Sequence, residues 1–133
     1  MRIWDLDEVS CKATYSDVHN DKVQAVRWNL KNEQVLLTAG YDGRINVLDV
    51  RNNAANIVTE LQKSIYKDVE SAQWHPQSEH NFIVTTESGH FIGFDTRRIN
   101  EPVFNVKAHK KACSSAAFSP HIPNMLTSVG TDK

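Results

Sequence analysis

The densest group of side chains able to do metal chemistry is His75, His80 and His90. Zinc takes imidazole nitrogens when they converge at close, regular spacing. These three fall at the end of one strand-like run, inside the loop 77–81 and at the start of another run. They read as turn or solvated histidines, and no metal is assigned. The chain has no glycine-rich phosphate loop and no nucleophile-elbow pattern. A stricter spacing ties two other histidines to aspartates: His19 precedes Asp42 by 23 residues, and His109 precedes Asp132 by 23. A histidine can hold a carboxylate in a tight turn, and a buried carboxylate must be paired and hydrogen-bonded. Thr38 and Ser128 would add a hydroxyl to each pair. This chemistry is structural, so the chain reads as non-catalytic, with no cofactor and no small-molecule substrate.

The elements that must position these pairs recur. Ile3-Trp4-Asp5, Val47-Leu48-Asp49 and Gly93-Phe94-Asp95 each close a strand-like run, and their aspartates are 44 and 46 residues apart. The runs 23–29, 69–75 and 113–119 alternate in polarity and carry Trp28, Trp74 or Phe118 near their ends. Pro76 and Pro120 stop two of them, because proline cannot donate to a ladder. Apolar strands follow at 35–39, 82–86 and 125–129, then the turns Asp42-Gly43 and Ser88-Gly89, then closing strands at 44–50 and 90–96. Asp-Gly between two such runs is a strong hairpin signal. Outer strands are expected at 11–15, 56–61 and 102–106. A period of about 40–45 residues with these endings marks the four-stranded antiparallel blades of a WD-repeat β-propeller, an all-β fold.

The repeat units fall at 7–50, 51–96 and 97–133, after the closing strand of another blade at 2–6. Propellers have about 4–8 blades. These 133 residues hold three, so the spacing implies an incomplete propeller, cut mid-blade at both ends, with Met1 an engineered or internal start. Open sheet edges are a liability in such a piece. The net charge of −1 gives no bulk basic signal for nucleic acid. No apolar run approaches the roughly 20 residues of a membrane span. Cys11 and Cys113 lie at non-equivalent repeat positions and read as free thiols of an intracellular protein.

Leu48 stands where a closing-strand tryptophan would complete the first polar network. The middle repeat departs further, with Ile65, Ser88 and Phe94 at the histidine, aspartate and tryptophan positions. Apolar packing without a polar network is expected there.

The stretch 36–44, then Leu48-Asp49-Val50-Arg51, resembles the periodic tryptophan protein 1 family. So do Glu87-Ser88-Gly89, Phe94-Asp95-Thr96-Arg97, the stretch 102–109 and His121-Ile122-Pro123-Asn124-Met125-Leu126. The resemblance covers nearly the whole chain. It implies later blades of that family's propeller, a nuclear and nucleolar location, and a scaffold role in ribosome biogenesis and rRNA processing, with links to chromatin.

Two features are candidates for contacts. Asp49-Val50-Arg51 and Asp95-Thr96-Arg97 place Arg51 and Arg97 after successive closing strands. Such boxes resemble those of substrate receptors that dock on a cullin-RING ubiquitin-ligase adaptor, and a planar guanidinium suits docking to carboxylates and carbonyls. A local strand-end ion pair is the plainer alternative. The second feature is Lys22, Lys67, Lys110 and Lys111 in loops that enter inner strands, with Lys63 and Lys107 close by. Blade symmetry would bring these loops to one rim, a basic crescent for ribosomal RNA or an acidic protein tail. Asp17, Asp21 and Asp68 dilute it. The best reading is a scaffold that binds proteins or pre-ribosomal ribonucleoprotein. A histone or chromatin reader and a ubiquitin-ligase substrate receptor are the alternatives.

Overall fold

A computed structural model describes residues 1–52 and 55–133, with the side chains of all of these except 55–58. Residues 53–54 of the unit 51–96 lie outside the described residues. The described strands are β1 (Arg2–Asp5), β2 (Ser10–Thr14), β3 (Val23–Trp28), β4 (Val35–Gly40), β5 (Arg44–Asp49), β6 (Ala55–Glu60), β7 (Val69–Trp74), β8 (Asn81–Thr86), β9 (His90–Asp95), β10 (Phe104–Lys107), β11 (Cys113–Phe118) and β12 (Leu126–Gly130). They form two four-stranded sheets, β3-β4-β5-β6 and β7-β8-β9-β10, flanked by the pairs β1-β2 and β11-β12. All pairings are antiparallel. The architecture is that of a partial WD-repeat propeller. The sequence repeat is offset from the sheets: the outer strand β2 pairs with β1, not with the strands that follow it.

Each inner strand ends in the same way. The N–H groups of Asn29, His75 and Ser119 donate to the carbonyls of Val35, Asn81 and Met125, each at 2.8 Å. Their side chains then cap the following loop. Asn29 Oδ1 accepts from the N–H of Lys31 at 2.9 Å, His75 Nδ1 from Gln77 at 3.1 Å, and Ser119 Oγ from Ile122 at 3.0 Å. Three residue types thus make the same kind of local cap. The closing aspartates are alike too. Asp5, Asp49 and Asp95 accept from the N–H two residues on, at 2.9, 3.0 and 2.9 Å.

A register shift recurs within β3, β7 and β11, at Val23/Ala25, Val69/Ser71 and Cys113/Ser115. It leaves Gln24, Glu70 and Ser114 without an opposite residue, and a bulge of this kind bends the strand. Val69, Ala72 and Trp74 face the first whole sheet and join Leu37, Ala39, Ile45, Val47, Phe82, Val84 and Phe94 in one core. Trp74 is 2% exposed and its Nε1–H donates to the Arg27 carbonyl at 3.1 Å, so one side chain ties the two sheets together. A four-residue helix, α1 (Lys63–Tyr66), links β6 to β7, and a 3-10 turn spans Thr96–Arg98. No helix among the described residues is long and apolar enough to cross a membrane.

Candidate functional site

The turn after β4 is held by a buried histidine. His19 Nδ1 lies 3.0 and 3.1 Å from the two carboxylate oxygens of Asp42, and its Nε2 lies 2.9 Å from Thr38 Oγ1. Asn46 adds a partner that the sequence reading missed. Its Nδ2 donates to the Val18 carbonyl at 2.9 Å and lies 3.0 Å from His19 Nε2. The Val18 carbonyl fixes the amide orientation, and an amide nitrogen can only donate. Nε2 therefore accepts, and the proton sits on Nδ1, facing Asp42. The only sequence signal for Asn46 is a polar residue amid the apolar run of β5. Asp42 also accepts the N–H groups of Asn20 and Arg44, at 2.8 and 3.0 Å.

Burial pushes the Asp42 pKa up, but the hydrogen bonds from His19, Asn20 and Arg44 outweigh it and leave the pKa below the usual carboxylate value. A lowered folded pKa means stability that is fully present above the unfolded value of about 3.9 and is lost as pH falls through the folded one. An acid titration of folding should show this loss below about pH 4, and Asp42→Asn should remove that contribution to the pH dependence. A pH profile unchanged by the substitution would contradict the assignment.

The last turn repeats the histidine–aspartate–hydroxyl arrangement. His109 Nδ1 lies 2.9 Å from Asp132 Oδ1, and its Nε2 lies 3.0 Å from Ser128 Oγ. Asp132 Oδ2 accepts the Lys110 N–H at 2.9 Å. That bond, followed by the one from His109, lowers the Asp132 pKa.

The middle turn corrects an expectation. It is not held by apolar packing alone: Ser88 Oγ lies 3.0 Å from Thr86 Oγ1 and 2.9 Å from His90 Nδ1. Ile65 is 52% exposed on α1 and fills no histidine position. Tyr66, its neighbour, packs against the core and meets the His90 ring edge-on at 5.4 Å. Burial, and then Lys107, lowers the His90 pKa.

His75 and His80 have polar partners of their own, Asn124 Oδ1 at 3.2 Å and Thr96 Oγ1 at 3.2 Å. Among the described residues no group of three or more His, Cys, Asp or Glu side chains is arranged to hold a metal. Cys11 is exposed and Cys113 is buried, both as free thiols.

Each Asp-X-Arg box closes on itself. Arg51 donates from Nε to Asp49 Oδ1 at 2.8 Å and from its terminal nitrogen to the other carboxylate oxygen. Arg97 does the same to Asp95, at 2.9 and 2.6 Å. The side-chain hydrogen bonds of Arg51 hold the Asp49 pKa at about 2, and those of Arg97 hold the Asp95 pKa well below the carboxylate range. The guanidinium forks are thus spent on strand-end caps.

The lysines divide. Lys67, Lys107, Lys110 and Lys111 line one cleft of about 460 Å³ between the second whole sheet and the β11-β12 pair, with Ser88 and Thr131. Lys67 Nζ stands 3.7 Å from Glu87 Oε1. Lys22 lies elsewhere, its Nζ 6.0 Å from the centre of the Tyr41 ring. Lys63 pairs with Asp68 at 3.4 Å. Gly89 sets the cleft: its carbonyl accepts the N–H groups of Ala108 and His109, each at 3.1 Å, and so anchors the loop that carries Lys110 and Lys111.

The curated relatives speak to the same repeats. A fruit-fly (Drosophila melanogaster) periodic tryptophan protein 1 homolog is 28% identical over 98% of this chain and 28% of its own length. The Saccharomyces cerevisiae periodic tryptophan protein 1 is 31% identical over 96% of the chain and 22% of its own length. This is a WD-repeat chain similar to periodic tryptophan protein 1. A Candida albicans relative, histone acetyltransferase type B subunit 2, is 29% identical over 92% of the chain and 32% of its own length. The chain therefore spans between 22% and 32% of the length of these curated relatives. No protein-family model matches it. In these WD repeats the histidine networks are scaffold: they fix the turns and, at Asp132, the loop beside the basic cleft. That cleft is a concentration of ammonium groups able to take phosphate or carboxylate oxygens as point charges.

Proposed function

We propose that this WD-repeat chain is a non-catalytic scaffold of a nuclear and nucleolar protein in ribosome biogenesis, and that it engages pre-ribosomal ribonucleoprotein through the lysine cleft. The single observation behind the reading is the convergence of Lys67, Lys107, Lys110 and Lys111 on one cleft in a chain of net charge −1. Lysines gathered from two neighbouring repeats attract an RNA backbone even where the whole surface is neutral. The likeness to periodic tryptophan protein 1 supports the ribosomal setting.

The receptor reading is less favoured because both arginine forks are bound to their own aspartates. The chromatin reading needs a free acidic or aromatic pocket. Glu70, then Asp68, Glu87 and Asp21, do surround Tyr41 closely enough to raise its pKa, but Lys22 stands over that ring.

Charge reversal by Lys110→Glu with Lys111→Glu tests the proposal. Pre-ribosomal particles should lose the variant from co-sedimentation in a gradient while its circular dichroism stays unchanged. Undiminished co-sedimentation of the folded variant would overturn the basic-cleft reading.

A further inference from the structure

Resting on the reading of the lysine cleft as a contact surface, we propose that it takes clustered phosphoryl groups in preference to the internal phosphodiesters of a strand. The ligand is an oligophosphate, carried by an RNA 5′ end or free in solution.

The lining of the cleft selects the part of a nucleic acid it can hold. Its four lysines share it with Glu87, two hydroxyl side chains and Ala112. Proteins grip single strands by stacking bases on aromatic rings, and read base edges with amide and guanidinium groups. Among the described residues no aromatic ring, side-chain amide or guanidinium lines the cleft. An ammonium group takes phosphate oxygens as a point charge. The cleft therefore suits phosphate and gives a base nothing to stack on.

Charge and volume then favour a compact ligand. The four ammonium groups outnumber the Glu87 carboxylate by three. Burial, and then Lys107, lower the pKa of His90, so the imidazole bonded to Ser88 stays neutral at neutral pH. A space of about 460 Å³ is only about 8 Å on edge when taken as a cube. A strand brings one negative charge per phosphodiester, at intervals of about 3.4 Å or more, with a sugar and a base for each. It can place at most about two charges there. A terminal phosphoryl group carries about −1.5 to −2, and each linked inner group adds about −1 with no sugar between. Two or three linked groups thus match the three surplus positive charges in the space available.

The backbone holds the lysines toward this space. The Gly89 carbonyl ties the turn 87–89 to the loop 107–112 through the N–H groups of Ala108 and His109. Asp132 Oδ2 fixes the Lys110 N–H at 2.9 Å. Lys67 comes from the loop between α1 and β7, and its φ is +58° with ψ at −138°. Glycine enters that conformation freely and is the usual residue where a helix ends in it, whereas side-chain-bearing residues rarely adopt it. Strain of this kind concentrates at ligand clamps. The Lys67 ammonium has only an exposed contact to Glu87 at 3.7 Å, which holds it weakly.

Two measurements at one ionic strength test the proposal. The first compares two fluorescein-labelled RNAs of one sequence, one ending in a 5′-triphosphate and one in a 5′-hydroxyl. The second compares inorganic tripolyphosphate with orthophosphate by calorimetric titration. A preference of about tenfold or more is expected for the triphosphate end, for tripolyphosphate, or for both. A preference for the RNA end makes RNA the source, and one for tripolyphosphate alone makes it a free oligophosphate. Lys67→Gly and, separately, Lys107→Gln should each reduce the preference by about fivefold or more. Lys67→Gly should do so without lowering the unfolding temperature, because glycine takes this φ without strain. Tripolyphosphate binding with no RNA binding would uphold the proposal and remove the ribonucleoprotein reading. Equal affinity for both RNA ends, with tripolyphosphate no better than orthophosphate, would overturn the proposal and leave that reading standing. A full preference kept by both folded variants would also overturn it.

Discussion

Truncating Trp74 to alanine should cost about 3–5 kcal/mol of folding stability. The indole is 2% exposed and lies between the two whole sheets. Its ring meets Phe82 edge-on at 5.4 Å, and Phe82 stacks on Phe94 at 5.4 Å. Its Nε1–H also satisfies the Arg27 carbonyl of the neighbouring sheet. Removing it opens a cavity between sheets, breaks a chain of aromatic contacts and leaves a carbonyl without its partner. A domain is commonly stable by only about 5–15 kcal/mol, so the loss should uncouple the sheets. Denaturant unfolding followed by circular dichroism should show a large fall in midpoint. Trp28→Ala is the control, because Trp28 is 46% exposed. A Trp28→Ala loss equal to that of Trp74→Ala would contradict the packing described.

The second large effect is at Gly89. Its φ is +89°, which side-chain-bearing residues rarely adopt, and a Cβ there would lie 2.1 Å from the His109 carbonyl oxygen and 2.4 Å from that of Lys111. Both neighbours are backbone atoms, so a rotamer change cannot relieve the overlap. Strained φ costs about 1–3 kcal/mol, and displacing packed backbone adds to it. Gly89→Ala should therefore destabilise the chain by about 2–4 kcal/mol. It should also push away the loop that holds Lys110 and Lys111. Hydrogen exchange should report faster amides at Ala108 and His109, which bond to the Gly89 carbonyl. Unchanged exchange there, with wild-type stability, would show that the close approach does not exist.

Much of the fold was legible because propeller repeats write local rules at fixed intervals. Asp42-Gly43 announces a hairpin, with Gly43 at a φ of +78°, and Pro76 and Pro120 mark the ends of inner strands. The His–Asp interval of 23 residues is the chain length from the loop before an inner strand to the turn two strands later, so covalent geometry makes it visible. What escaped depends on contacts between elements. Asn46 becomes a partner of His19 only when β5 lies beside the loop at Val18. Ser88 and His90 replace a histidine–aspartate pair with side chains on one turn, which no interval reveals. The short helix α1 carries Tyr66 into the place where Ile65 was expected to act, a shift of one residue that period counting does not resolve. Equivalence between loops also misled at Lys22. Its loop precedes the first whole sheet, whereas Lys67, Lys107, Lys110 and Lys111 share the cleft beside the second.

That cleft is the proposed contact with ribonucleoprotein, and binding of a fluorescein-labelled single-stranded RNA at several salt concentrations tests it most directly. Each phosphate neutralised on a single strand contributes about −0.7 to the slope of log affinity against log salt. Wild-type chain should bind with a clear negative slope, and Lys110→Glu with Lys111→Glu should bind more weakly with a slope flatter by about 1.4. Absence of RNA binding at low salt, or the same affinity and slope in the folded double variant, would contradict it.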